Sequence, residues 1–151
     1  MAKFSGDRAS ITPSTGVANW VLETVSTVQA DVMEVSWGGE TTTSTAMRTR
    51  IARDTIVGTG SRTAGNVQKL NQHSPANGAF FSTTYATLQP TILVGALFGT
   101  SWNAHGGVVR WLAAPGEELN IYDAGATTAS LECRADVGTA TSSYDVIWSE
   151  A

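Results

Sequence analysis

From Ala129 to Val137 the chain alternates without a break: Ala129, Leu131, Cys133, Ala135 and Val137 fall on one set of positions, Ser130, Glu132, Arg134 and Asp136 on the other. Successive side chains of an extended strand point to opposite faces, so this run describes a strand with one face in a core and one in water. The period of two recurs along the sequence, and no window of helical length carries an apolar stripe at i, i+3, i+4 and i+7. The pattern therefore predicts an all-β chain.

Asp31 to Trp37 repeats the alternation with Met33, Val35 and Trp37 inward, and Gly38 with Gly39 suits a tight turn after it. In the last strand Tyr144, Val146 and Trp148 alternate with Asp145, Ile147 and Ser149, and apolar residues on both faces mark a central or covered strand. Further strands are expected over Ala18 to Thr27, Ala46 to Asp54, Phe80 to Tyr85, Thr91 to Phe98, Val108 to Ala113 and Leu119 to Asp123. Turn chemistry separates them at Pro13 to Gly16, Gly58 to Gly60, Ser74 to Gly78, His105 to Gly107, Ala114 to Glu117 and Asp123 to Gly125. About nine strands at such spacing describe an antiparallel β-sandwich, jelly-roll-like. Residues 1–15 read as a polar, weakly patterned N-terminal arm and residues 16–151 as a single sandwich domain. Val57 to Ala79 is longer than a sandwich connection usually is, which points to mobility or to contact with a partner.

The 151 residues suffice for a core burying roughly 68–70% of the unfolded surface. Only 15% are charged, where about 25% is usual, and nine Lys and Arg against thirteen Asp and Glu leave a net charge of −4. Affinity for nucleic acid through phosphate charge is thereby disfavoured. Met1 to Asp7 is polar and the apolar stretch Ile92 to Phe98 falls short of the ~18–20 residues of a span, so neither signal peptide nor membrane is expected. Cys133, the lone cysteine, reads as a buried inert thiol of a protein made in a reducing cytosol.

Chemistry-bearing constellations do not assemble in the sequence. His73 and His105 lie in different loops without further ligands at zinc spacing, and Asp123, Asp136 and Asp145 belong to no calcium loop. Glu117 and Glu118 are adjacent and so face opposite ways on a strand, whereas a glycosidase pair must span a cleft. Gly58-Thr59-Gly60 precedes no helix, and neither a Walker A loop nor a nucleophile elbow is present. No catalytic role, metal or cofactor is expected.

What remains is surface. Seven Arg against two Lys favours protein contact, because guanidinium is weakly hydrated and binds carboxylates as a fork. Arg48 and Arg50 share one strand face, with Arg53 just beyond; the competing reading is a solvated face paired with cross-strand Glu. Trp37, Trp111 and Trp148 sit at inward strand positions, whereas Trp20 and Trp102, flanked by Asn19 and Asn103, suit half-exposed anchors for a partner or sugar ring.

Several stretches taken together resemble the capsid decoration, or cement, proteins of tailed phages, small β-sandwich virion proteins of aquatic-phage type. They are Glu34 to Glu40 with Ser44 to Arg50, Gly106 to Glu117, and Ser143 to Glu150. The resemblance implies a homotrimer on the virion exterior, made in the host cytoplasm, that binds the phage major capsid protein and stabilises the expanded head. It further implies that the N-terminal arm lies along the capsid, which would make Lys3, Phe4 and Arg8 contact residues beside Arg48, Arg50, Arg53 and Trp102. The alternative is a glycan- or receptor-binding module of a phage fibre or baseplate, using Trp102, Asn103 and His105. A head–tail joining protein is a third reading.

Overall fold

The computed structural model describes residues 1–25, 27–56, 58–92, 95–122 and 129–151. Among these residues thirteen strands and no helix form two antiparallel sheets, the layers of a β-sandwich. In the first sheet the order is β10 (Val108–Leu112), β3 (Gln29–Gly39), β13 (Ser142–Glu150), β1 (Ala2–Ile11) and β6 (Asn66–Lys69), with β11 (Leu119–Tyr122) also paired to β3. In the second it is β5 (Arg62–Ala64), β7 (Phe80–Tyr85), β2 (Ala18–Glu23), β12 (Ser130–Val137), β4 (Ala46–Ile56) and β8 (Thr91–Ile92), with β9 (Phe98–Asn103) also paired to β4.

Alternation places the core as expected on β12 at Leu131, Cys133 and Ala135, and on β13 at Tyr144, Val146 and Trp148, all buried; Val137, expected inward, is exposed, because the register with β4 slips after Ala135. Two aromatic series cross between the sheets. Phe4 stacks on Trp148 at 5.8 Å, Trp148 on Phe81 at 6.1 Å, and Phe81 meets Trp20 at 6.1 Å. On the other side Trp37, Phe98 and Trp111 follow at 5.9 and 5.3 Å. Each such pair adds about 0.5–1.5 kcal/mol beyond the area it buries.

Several expectations change. Thirteen strands replace about nine. The supposed arm is a ten-residue strand lying between β13 and β6, with Phe4 fully buried. Its inward positions are Phe4, Gly6 and Arg8, and Gly6 is small because the Phe81 ring lies 3.0 Å from where a Cβ would stand. The expected loop beyond Val57, itself outside the described residues, contains β5 at the edge of one sheet and β6 at the edge of the other. Met33 is not inward. The register between β3 and β13 slips there, Ile147 facing Glu34 and Trp148 facing Val32, so Val32 takes the inward place and Met33 is the extra residue of a bulge. Gly38 and Gly39 end β3 rather than turn it; a Cβ on Gly39 would fall 2.0 Å from the Ala104 carbonyl oxygen, so close backbone approach is what demands the glycine. The strand expected over Thr91 to Phe98 is two pieces, Thr91–Ile92 and the start of β9, with Leu93 and Val94 outside the described residues. The turn at Asp123 to Gly125 also lies outside them, as do Ser26 and Asp123 at the ends of two expected strands.

Candidate interaction surfaces

The contact residues expected from the sequence do not share one surface. Lys3 is exposed, opposite Ser149 at the start of β1. Phe4 and Arg8 point into the sandwich. Phe4 is fully buried, and Arg8 donates from Nη1 to the carbonyls of Thr83 at 2.8 Å, Ala18 at 3.4 Å and Asn19. These carbonyls belong to the opposite sheet, so Arg8 clasps the two layers. Desolvation lowers its guanidinium pKa from the ordinary value, with a smaller opposing effect from Tyr144. Neither residue offers a partner its side chain.

Arg48 and Arg50 do share the outer face of β4, and both face Asp136 on β12: Arg50 Nε at 2.8 Å and Arg48 Nε at 4.0 Å. The cross-strand carboxylate is an aspartate, and Arg48 keeps most of its side chain, 61%, in solvent. Arg53 shares the parity of Ile51 and turns the other way; its Nη1 donates to the Asn120 carbonyl at 2.5 Å, reaching β11 in the first sheet. Trp102 is half-buried against the core, and its Nε1 donates to Thr49 Oγ1 at 3.1 Å. Trp20 is fully buried, which corrects its reading as an anchor.

The open surface is the outer face of the first sheet. Its cross-strand rows run Val108, Gly38, Ser143; then Arg110, Ser36, Asp145, Asp7, Asn66; then Leu112, Glu34, Ile147, Ser5, Gln68. On the three central strands these rows hold three serines and a glycine beside Asp7, Asp145, Glu34 and Ile147; Asn66 and Gln68 lie on the β6 edge, and at the β10 edge Val108 is 73% and Leu112 61% exposed. Arg110 holds Glu34 in a fork, Nε to Oε1 at 2.5 Å and Nη2 to Oε2 at 2.8 Å. Asp7 and Asp145 stand directly opposite each other, like charges that destabilise a strand pair. Partial burial, then repulsion from Asp7, raises the Asp145 carboxyl above its usual range.

Part of the outer face of the second sheet, away from Arg48 and Asp136, is covered. Thr59 bridges to Leu88, Pro90 is buried, and Gly58 lies so near Tyr85 that a Cβ would fall 2.4 Å from the ring. Beneath this layer sit three carboxylates from adjacent strands: Glu23 on β2, Glu132 on β12 and Asp54 on β4. Arg62 Nη1 donates to Glu23 Oε2 at 2.5 Å, and the Tyr85 hydroxyl donates to the same oxygen at 3.1 Å. Arg134 Nη2 donates to Glu132 Oε2 at 2.8 Å and to the Pro90 carbonyl at 3.0 Å. Ser130 Oγ donates to Asp54 Oδ2 at 2.7 Å. Sequence alternation assigns Glu132 to a wet face; the hint of its cover was the unusual length of the segment following Val57.

At one end of the sandwich an open groove of about 380 Å³ runs between Ala2, Pro75 and Glu150. The Glu150 carboxylate is spent there on the backbone N–H groups of Gly78 and Ala79 and on Trp148 Nε1. His73 and His105 are exposed, and among the described residues no group of three or more His, Cys, Asp and Glu converges as a metal ion requires. Comparison with family models, curated proteins and solved structures finds no match to this chain.

Proposed function

We propose that the protein is a virion structural component that binds the outer surface of a tailed-phage capsid as a trimer and stabilises the expanded head. The observation that carries this reading is the outer face of the first sheet, where Ser5, Ser36, Ser143 and Gly38 surround the opposed pair Asp7 and Asp145, Arg110 already neutralises Glu34, and Val108 and Leu112 are exposed at the edge. Its serines lose little entropy and little hydration when covered, which suits a broad protein contact. An arginine or lysine from the capsid lattice would relieve the aspartate pair, and the apolar edge would be buried against a neighbouring copy. A protein that binds only the expanded lattice stabilises it by RT ln(1 + [L]/Kd) per site, about 2.7 kcal/mol at a hundredfold excess over Kd.

Cosedimentation of purified protein with expanded empty heads, and a mass by light scattering of three chains, are the expected results. Absence from the heads overturns the reading, as does a virion copy number of a few tens rather than one near that of the major capsid protein. The glycan-binding alternative rests on Trp102, whose indole N–H is already engaged by Thr49. A glycan-array signal abolished by Trp102→Ala would restore it.

A further inference from the structure

We propose that Asp54 and Glu132 share one proton, and that this proton fastens the covering segment of residues 86–92 over the outer face of the second sheet. The geometry comes first. Asp54 lies beyond Ala52, the partner of Glu132 in the β4–β12 ladder, so the two carboxylates are diagonal neighbours on one face. Glu132 is fully buried. Among the described residues Asp54 Oδ1 is buried and accepts no hydrogen bond, while Glu132 Oε1 is held by the Arg134 ion pair, with Nε at 2.8 Å, out of line for a hydrogen bond. The unpartnered Asp54 oxygen is satisfied if one carboxyl of the pair carries a hydrogen and donates it to the other.

Charge counting agrees. The groups facing this pair are Glu23 and Val21 on β2, Arg50, which is engaged by Asp136, on β4, Arg134 on β12, Tyr85 on β7, Arg62 on β5 and the Pro90 carbonyl of the cover. Glu23 has Arg62 and Glu132 has Arg134, while among the described residues no cation pairs with Asp54. Three ionised carboxylates over two guanidiniums leave one uncompensated buried charge; a shared proton removes it. Burial raises both carboxyls above their ordinary range, Asp54 to about 6 and Glu132 to about 8, with their mutual repulsion adding to Glu132 and Arg134 opposing in both. The pair titrates as a unit.

When the proton leaves, the buried charge must reach water, and what stands between is the cover. It is held by Arg134 on the Pro90 carbonyl, by Gln89 Nε2 donating to the Tyr85 carbonyl, by Thr55 Oγ1 donating to the Thr91 carbonyl and by the two-residue strand β8 against β4. Its remaining backbone bonds, from Ala86, Thr87 and Leu88, go to Ser61 and Thr59 outside the sheets, so cover and loop can lift together at less cost than unfolding the sandwich.

Hydrogen exchange of the intact protein, followed by mass spectrometry and corrected for intrinsic rates, tests this. In peptides covering residues 86–92, opening is expected to rise with pH above the ordinary carboxyl range, by about tenfold per pH unit for one linked proton, while peptides from β13 stay protected. Asp54→Asn, whose amide donates permanently, is expected to abolish that rise. A pH-independent cover in the wild type, or an unchanged rise in Asp54→Asn, overturns the proposal. Carbon-detected NMR titration of the wild-type side-chain carboxyls needs no variant: both carboxyls ionising below pH 5 would equally overturn it.

Discussion

At the scale of single residues, the structure assigns costs that composition conceals. Gly39→Ala must push the Ala104 carbonyl aside, and a loss of about 1–3 kcal/mol is expected in urea unfolding. Arg8→Met keeps the apolar stem but strands three carbonyls of the opposite sheet; about 1.5–3 kcal/mol is expected from the lost charged hydrogen bonds. Asp145→Asn carries the opposite sign. Removing one of two opposed like charges is expected to stabilise the free protein by about 0.2–1 kcal/mol while weakening its attachment to capsids, and a variant that gains stability without losing attachment would remove the aspartate pair from the contact. Burial pushes the Cys133 thiol up, so a thiol reagent at neutral pH is expected to label it only at the rate of unfolding.

Elements were legible where both facing patterns were made of ordinary core and surface residues. β12 and β13 are such cases, as their unbroken alternation shows. β1 was illegible because its inward positions are Phe4, Gly6 and Arg8: a glycine that makes room for the Phe81 ring and an arginine that satisfies carbonyls do not look like a core. β9 was illegible for a related reason, since between Phe98 and Trp102 its inward side has only Thr100, and the glycine at 99 reads as a break. The bulge at Met33 shifts the inward set by one residue, and nothing in a single strand's sequence announces which partner residue will be skipped. The β12 face carrying Glu132 was misread as wet, because alternation tells which side is not the core but not whether a distant segment returns to cover it. As a consequence, removing residues 1–11 should abolish cooperative unfolding altogether, where loss of a mere arm would leave the melting curve intact; Phe4→Ala alone is expected to cost about 3–5 kcal/mol.

For the molecule as a whole, pH sets the balance. Asp54, Glu132 and Asp145 have carboxyls raised above their unfolded values, so the native state holds protons that the unfolded chain has released. For Asp54 and Glu132 that stabilisation is full below the ordinary carboxyl range and declines as pH rises through about 6 to about 8, and Asp145 acts in the same direction. Glu40 is shifted the other way, lowered chiefly by hydrogen bonds from Ser10 and Ser143, and its contribution is lost in strong acid. The melting temperature is therefore expected to peak in mildly acidic buffer and to fall toward pH 9; a curve rising from pH 5 to pH 9 would contradict these assignments.

The position of β13 has a last consequence, for synthesis. It lies in the interior of the first sheet, between β3 and β1, although it is made after both. Until residues 142–150 leave the ribosome, β1 and β3 have no strand between them, and Phe4, Val35 and Trp37 lack Tyr144, Val146 and Trp148 to pack on. Such long-range pairing is slow and leaves apolar strands exposed meanwhile. A nascent chain stalled before β13 should thus remain protease-sensitive and bound by chaperones, then become resistant in one step once the last strand emerges.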